Sequence, residues 1–468
     1  MNLGFGTDGI RGPAYSELDE VVVHALGRAA AETVSRTTGG ARWVTGRDTR
    51  TSGPALAAAL AAGLRAAGAE VIDLGVVPTP VVAFAAGLHN AAGAMVSASH
   101  NPWHDNGVKL FARGGTKLDD GAQASVAEHL ARIGITHGDR PAQSDVARRD
   151  QQATTAGDSD AATNGVLASY EASLSNAIGG RSLDGLHLVV DCANGAAAPH
   201  AAPLLERLGA QVTALFCEPD GRNINEGCGS THPAALQAAV LEAGADLGLA
   251  FDGDGDRLIA VDSVGELIDG DRAMALFAVD LRDRGLLADD ILVVTVMSNL
   301  GLRRAMFDAG IGLTTTAVGD RAVLEALDAG GFSLGGEQSG HIVFRHEATT
   351  GDGLRTAVHL ADLVVRRTAA DPLVRSSADL AAPAMQTAPQ VLRNVELTSG
   401  PRVLPAAVQR KIDDVGAQAG PDTRVLVRPS GTEPVIRVMV EAPTAAKAEA
   451  LAERLVELVR AGIVETTG

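Results

Sequence analysis

The sequence predicts an α/β protein in which three similar α/β domains with mixed, mainly parallel sheets are followed by a smaller C-terminal α+β domain. Three observations carry this reading. A strand–turn–helix–strand–helix–strand pattern occurs three times between Trp43 and His341, the mark of repeated βαβ units with right-handed crossovers. After about Asp371 the pattern changes. The chain's 468 residues also exceed what one hydrophobic core supports, so several domains are required.

Composition narrows the function classes. Aromatic residues are scarce at 3% while glycine reaches 54 residues, so helices are expected to pack closely on small side chains. A formal net charge of −18 argues against nucleic acid or an anionic membrane as a partner. It leaves phosphorylated small molecules open, because clustered arginines or a metal ion reverse the field inside one cleft. Cys192, Cys217 and Cys228 are too few and too irregular for a disulfide framework or a zinc site, and read as free thiols in a reducing compartment. The opening MNLGFGTDGIRG has no signal-peptide character and no apolar run reads as a membrane span, so a cytoplasmic location is expected.

In order along the chain, Phe5 to Gly12 (FGTDGIRG) is too glycine-rich for a helix or an ordinary strand and reads as a binding loop with Arg11 at its tip, or as a tight surface turn. Leu18 to Val34 has helical spacing. The first copy comprises a strand at Trp43 to Gly46, the turn RDTRTSG, helices at Pro54 to Ala67 and Pro80 to Leu88, and strands at Glu70 to Leu74 and ending at Ser99. Strands at Leu186 to Val190, Gln211 to Phe216 and Leu247 to Phe251 form the second copy, with helices ending at Leu208 and spanning Pro233 to Ala243. The third has strands at Ile291 to Val296 and Leu313 to Ala317, helices reaching Gly310 and spanning Arg321 to Ala329, and a short strand before GGEQSGH. Gly138 to Gly165 lacks periodicity and reads as a linker. The last domain has strands at Gln390 to Leu397, Arg424 to Val427 and Val435 to Val440, and a helix at Thr444 to Val459. The expected domains are 1–150, 165–262, 263–370 and 377–468.

Ligands of such sheets bind beyond the carboxyl ends of the strands, and each copy carries an unusual polar motif there. Met95 to Leu110 (MVSASHNPWHDNGVKL) organises the rest. Asn101-Pro102 ends a preceding strand, so Ser97 to Asn101 is a loop held out from a rigid element and Ser99 is exposed for reaction. By itself the motif is equally a polar turn. Asp252, Asp254 and Asp256 alternate with glycines after the apolar LGLAF, and three such carboxylates repel one another unless a cation lies between them. An EF-hand would need glycine and glutamate where Arg257 and Ser263 stand, so magnesium is the expected metal, against a solvated acidic turn. In RPSGTEPVIR, Ser430, Gly431 and Thr432 between Arg428 and Arg437 form a phosphate cradle, or a hairpin turn with solvent-facing arginines. Glu337, Ser339 and His341 suit the gripping of sugar hydroxyls, unless the histidine is structural. Lys109 serves as acid or base where neighbouring cations lower its pKa, and otherwise as a surface charge.

In this order FGTDGIRG, SASHNP, DGDGDR, GEQSGH and RPSGTEP resemble the α-D-phosphohexomutase superfamily across essentially the whole chain. NINEGCGSTHP (Asn223 to Pro233), VGDR and TTGDG look like its amino-sugar branch rather than the phosphomannomutase/phosphoglucomutase branch. The resemblance implies four domains around a central cleft, with Ser99 phosphorylated and one Mg2+ held by its phosphate with Asp252, Asp254 and Asp256. Glucosamine 6-phosphate and glucosamine 1-phosphate would interconvert through a sugar 1,6-bisphosphate, which also serves as activator, feeding UDP-N-acetylglucosamine and cell-wall synthesis. Arg428, Ser430, Gly431, Thr432 and Arg437 would hold the phosphate that is not reacting, and Glu337 and Ser339 the ring hydroxyls. Arg11, His100, Lys109, Arg257 and His341 would line the reacting end. The expected partners are a phosphorylated hexosamine and, as an option, a second copy in a homodimer, with no nucleic acid and no membrane. Turning a bisphosphate over implies hinge motion near Ala369 to Ser376. Glucose or mannose phosphate specificity, a metal-assisted phosphatase, and a silent sugar-phosphate-binding protein remain the alternatives.

Overall fold

A computed structural model describes residues 9–38, 42–133, 156–396, 404–429 and 435–467. It divides into two compact units, Met1–Met297 with Gly310–Ala384, and Ser298–Ala309 with Met385–Gly468.

The first unit opens with strands β1 (Ile10–Pro13), β2 (Arg42–Arg47), β3 (Glu70–Val76), β4 (Ala92–Val96) and β5 (Asp105–Phe111), with helices α1 (Glu20–Thr38), α2 (Gly53–Ala66), α3 (Thr79–Leu88) and α4 (Asp120–Ile133). Their order in the sheet is β1-β5-β4-β2-β3. β2 runs parallel to β3 and β4, and β5 antiparallel to β4 and β1. The AGAMV of β4 is buried throughout, as expected of a central strand covered on both faces. Helix α5 (Ala156–Ala177) leads to a second sheet of β6 (His187–Asp191), β7 (Gln211–Leu215), β8 (Leu247–Phe251), β9 (Leu258–Asp262) and β10 (Leu267–Ile268), ordered β10-β9-β8-β6-β7, with α6 (Ala201–Arg207) and α7 (Ala234–Ala243). After α8 (Gly270–Asp283) comes a third sheet of β11 (Ile291–Thr295), β12 (Gly312–Thr316), β13 (Leu334–Gly336) and β14 (Ile342–Phe344), ordered β12-β11-β13-β14. Helix α9 (Leu300–Asp308) falls in the second unit, whereas α10 (Asp320–Gly330), α11 (Gly353–Ala370) and α12 (Ser377–Ala381) stay in the first.

The three sheets share one plan. The trios β4-β2-β3, β8-β6-β7 and β13-β11-β12 are parallel, and each is extended by an antiparallel return strand, β5, β9 or β14. The three polar motifs are therefore the loops that join the last parallel strand to its return strand.

Two expectations are corrected. Arg11 is not at a loop tip: Ile10–Pro13 pairs with β5, setting Arg11 opposite Gly107. Long-range pairing overrides the glycine content, and Gly107 permits it because a Cβ there would lie 2.8 Å from the Ile10 carbonyl oxygen. The Phe5 to Asp8 part of that motif lies outside the described residues. The linker expected to reach Gly165 is helical from Ala156. Val166, Tyr170, Leu174 and Ile178 make a buried stripe at four-residue spacing, and Tyr170 meets Phe84 of α3 edge-to-face at 5.5 Å.

The second unit holds α9, β15 (Gln390–Glu396), α13 (Ala406–Ala419), β16 (Arg424–Pro429), β17 (Val435–Glu441) and α14 (Ala445–Thr467). Its antiparallel sheet has the order β15-β17-β16. Glu441 is buried and accepts the Leu300 N–H at 3.2 Å and an Arg424 N–H at 3.0 Å, tying α9 to this sheet. The units divide at Ala384, beyond the 369–376 stretch where a hinge is expected, and the Ser377 hydroxyl in between is fixed to the Asp246 carbonyl.

Small residues let α1 and α2 meet backbone to backbone. A Cβ on Gly63 would run into the His24 carbonyl oxygen, and one on Gly27 would lie 2.5 Å from that of Leu60. Gly165, by contrast, is exposed in α5 with open space around it. Gly63→Ala is therefore expected to destabilise the fold by about 1–3 kcal/mol through overpacking. Gly165→Ala should stabilise it by about 1 kcal/mol through helix propensity, and urea denaturation compares the two.

Candidate active site

Ser99 lies just past β4 and is buried, not exposed as the sequence suggests, because the loop after β8 packs over it; its φ of +53 is a left-handed conformation that a non-glycine residue adopts only under constraint. Its N–H donates to Ser97 Oγ at 2.9 Å, and that hydroxyl donates to Asp48 Oδ2 at 2.7 Å. Asp48 pairs with Arg50 Nε at 2.8 Å, both side chains being fully buried. Burial lifts the Asp48 carboxyl above its ordinary range, against the opposing Arg50 charge. The turn RDTRTSG, which the sequence offers only as a connection, is thus the floor under the serine. Its Asp48 and Arg50, a polar pair at the carboxyl end of β2, were not singled out from the sequence.

Asp252, Asp254 and Asp256 follow β8, are buried, and place one carboxylate oxygen each within 4.8 Å of one another. Ser99 Oγ donates to Asp252 Oδ2 at 2.5 Å. Lys109, on the return strand β5, sets Nζ 2.7 Å from Asp254 Oδ2 and 2.8 Å from Asp256 Oδ2. Thr79, at the start of α3, donates its hydroxyl to Asp254 Oδ2. Burial, reinforced by the other two carboxylates, lifts Asp252 well above the usual range. Burial also opposes ionisation of Asp256, but Lys109, His341 and Arg257 together hold it well below. Among the described residues, Asp254 Oδ1 and Asp256 Oδ1 are buried with no hydrogen-bond donor. An all-carboxylate set with bare buried oxygens fits a hard divalent cation such as Mg2+.

Other residues that the sequence offers as site candidates assemble around these. His100 Nδ1 is 3.4 Å from Ser99 Oγ, and burial, then the Arg257 and Arg11 charges, push the ring down to about 4. Arg257 donates its backbone N–H to Asp252 Oδ1 at 3.2 Å, with its Nε 3.8 Å from Asp256 Oδ1. His341, past β13, has Nδ1 3.7 Å from Asp256 Oδ2, while Nε2 accepts the Gly351 N–H at 3.1 Å. A side chain at 351 would strike the imidazole ring. In the same loop Glu337 Oε1 accepts the Gly319 N–H at 3.0 Å, and Ser339 Oγ is buried without a hydrogen-bond partner among the described residues. VGDR contributes Asp320, which pairs with Lys117 and lies 4.0 Å from His341 Nε2. Thr79 and Lys117 were not singled out from the sequence, where a lone threonine or lysine carries no signal, and Asp320 was named there only within VGDR.

In the second unit Arg428 and Arg437 stand directly opposite each other on β16 and β17. Burial and then Arg437 lower the Arg428 pKa, and Arg428 Nε is buried with no hydrogen-bond partner among the described residues. Ser430, Gly431 and Thr432 lie outside the described residues.

A serine pressed against a buried carboxylate triad, on sheets repeated three times, defines a phosphoryl-transferring α/β protein. Models of the four domains of the phosphoglucomutase/phosphomannomutase family match the chain: α/β/α domain I at residues 2–135, II at 168–265, III at 269–381, and the C-terminal domain at 392–458. The chain belongs to this family of phosphohexomutases, which are isomerases. Within it the chain groups with the phosphoglucosamine mutases. It is 48% identical to that of Kineococcus radiotolerans, over 97% of this chain and 98% of the relative. It is 49% identical to that of Saccharopolyspora erythraea, over 98% of this chain and all (100%) of the relative. Among solved structures, a phosphoglucomutase/phosphomannomutase family protein from Burkholderia thailandensis matches with a TM-score of 0.75 at 29% identity, covering 97% of this chain and 98% of that one. Aspergillus fumigatus N-acetylphosphoglucosamine mutase, in complex with GlcNAc-6P and magnesium, shares the fold, with a TM-score of 0.68 at 19% identity, covering 98% of this chain and 95% of that one.

With its pKa pushed to about 4, against 6.5 for an ordinary histidine, His100 is expected to be neutral at pH 6 and above in the dephosphorylated, metal-free protein. Protonation favours the unfolded chain here, so the associated stability is present above about pH 6.5 and is lost as pH falls toward 4. Histidine C2-proton NMR titration against a His100→Gln control reads the value directly.

Proposed function

We propose that the protein interconverts glucosamine 6-phosphate and glucosamine 1-phosphate, with Ser99 as phosphoryl carrier and a sugar 1,6-bisphosphate as intermediate and activator. The observation that carries this reading is the 2.5 Å hydrogen bond from Ser99 Oγ to Asp252 Oδ2 inside the buried triad. Similarity to proteins named phosphoglucosamine mutase over nearly the whole chain supports the amino-sugar substrate. The product would feed UDP-N-acetylglucosamine and cell-wall synthesis in the cytoplasm, and a homodimer is compatible with it.

Asp252, Asp254, Asp256 and the Ser99 phosphate would hold one Mg2+, which supplies Lewis-acid polarisation of a phosphoryl oxygen when bound. Phosphoryl transfer demands little covalent chemistry beyond positioning and charge stabilisation. Ser99 carries the phosphate to a sugar hydroxyl and takes back the phosphate from the other end of the bisphosphate. Lys109, Arg257 and Arg11 offset charge on the transferring group, since arginine and lysine donors strengthen as phosphate charge develops. His100, kept neutral by burial and its cationic neighbours, is a hydrogen-bond partner for Ser99 Oγ, and His341 lines the same end. Glu337 and Ser339 bind ring hydroxyls in both orientations of the sugar. Arg428 and Arg437, with Ser430, Gly431 and Thr432, take the phosphate that is not reacting.

The test is 31P NMR of the Mg2+-loaded protein with a trace of sugar 1,6-bisphosphate, offered the 6-phosphates of glucosamine, glucose and mannose in parallel. Fast conversion of the glucosamine ester alone is expected; preference for glucose or mannose overturns the substrate, and release of inorganic phosphate overturns the mutase reading. Ser99→Ala should abolish turnover, and chelation should abolish it until Mg2+ is restored. Arg437→Gln is expected to raise KM for the sugar phosphate about 10- to 100-fold, the worth of one charged hydrogen-bonded contact, in steady-state assays.

A further inference from the structure

The segment Asn223 to Pro233 carries no group assigned above to the reaction, yet it reaches the serine loop. Asn225 adopts φ +60 and is buried. Its side-chain amide donates to the carbonyl oxygens of Ser99 at 2.9 Å and Asn101 at 3.1 Å. The same two oxygens accept from Arg50 Nη2, at 2.9 and 2.8 Å. Arg50 approaches from the turn after β2 and Asn225 from the loop after β7, so each carbonyl is gripped from two different domains of the first unit. Gly253, between two of the triad carboxylates, allows this closeness: a Cβ there would lie 2.6 Å from the Ser99 carbonyl oxygen and 2.8 Å from Asn225 Nδ2.

The Asn225 loop is itself anchored. Asp191 is buried; one carboxylate oxygen accepts the Ala193 N–H and the other the Gly229 N–H, each at 2.8 Å. Thr51 N–H donates to the Gly221 carbonyl at 2.8 Å, and Arg222 lies over the Trp103 ring at 5.4 Å. The loop thus braces the serine loop both at depth and at the surface.

We propose that Asn225, acting with Arg50, is a positioning residue for phosphoryl transfer: the shared grip on the Ser99 and Asn101 carbonyls holds the reacting serine in its left-handed conformation and in register with the carboxylates after β8. This rests on the reading of Ser99 as phosphoryl carrier. Two donors on each carbonyl fix the peptide units that follow Ser99 and Asn101. A left-handed serine stripped of half this grip is free to relax toward ordinary φ, which moves Oγ off the triad. Misplacement on the scale of an ångström costs about 100-fold in rate.

The test separates the amide from the backbone. Asn225→Gly keeps φ +60 without strain and removes the donor, and Asn225→Asp keeps the shape and exchanges the donor for an acceptor. In the full-length protein both variants are expected to lose about 10- to 100-fold in kcat, with KM for the sugar phosphate within about twofold of wild type. Labelling of Ser99 from sugar 1,6-bisphosphate, followed by intact mass, should slow by the same factor. A purely structural role would instead lower the yield of active enzyme and leave kcat per phosphorylatable site unchanged, which overturns the proposal. Wild-type kcat in Asn225→Gly also overturns it, since only the backbone conformation would then matter. Failure of wild-type protein to take phosphate on Ser99 overturns the carrier reading and this proposal with it, a result distinct from normal labelling in both proteins.

Discussion

Three carboxylates buried within a few ångströms of one another are the constraint that the rest of the first unit answers. Left alone, such a group favours the protonated form, and the rise of Asp252 records that tendency. The answer comes from elsewhere in the chain: Lys109 from the first sheet bridges Asp254 and Asp256, and His341 from the third approaches Asp256 from another side. Removing one partner from such a buried pair typically costs about 3–5 kcal/mol, so charge compensation and the joining of three sheets are one problem with one solution. Among the described residues Asp254 Oδ1 and Asp256 Oδ1 still have no hydrogen-bond donor, a pair of bare oxygens that fits a divalent cation.

The repeated topology explains why the answering groups arrive together. In each sheet the polar loop turns from a buried parallel strand into an antiparallel return strand, fixing its two ends on the rigid core. Lys109 is two strand positions beyond Gly107, which faces Arg11 on β1, so the two cations lie on adjacent strands of one sheet. The φ of +53 at Ser99 makes sense in that frame: a strand end held by Ser97, Asp48 and Arg50 is stiff enough to sustain a conformation an isolated turn would abandon.

The parallel strands and their helices were legible because burial on both faces writes itself as uninterrupted apolar runs such as LGLAF and AGAMV. The triad was legible because carboxylates alternating with glycines after such a run have few bland explanations. The return strand DNGVKLF was not, since its first half is polar and its pairing partners are remote in sequence. Nor was β1, where IRGP acquires strand character only by meeting β5. Arg50 shows the limit at the site: a guanidinium buried against Asp48 uses the same letter as one in solvent, and only its partners distinguish them. Helix α9 shows a similar limit for domains, because it occupies the expected place in the third copy while Asn299, Leu300 and Glu441 bind it to the second unit.

In the second unit two like charges of the opposite sign meet. Strand register on β16 and β17 fixes Arg428 opposite Arg437, and like charges directly opposite in a sheet repel. The side-chain period of two makes this inescapable without turning the apolar residues of β17 out of the core, where Ile436 and Val438 flank Arg437. The repulsion is a small standing cost of the folded unit, and an anion between the guanidinium groups removes it. A chain of net charge −18 that takes an anionic substrate needs this local inversion of field, just as the triad needs a cation. Each unit therefore gathers one sign of charge at a few residues, and the overall acidity of the sequence conceals the paired arginines.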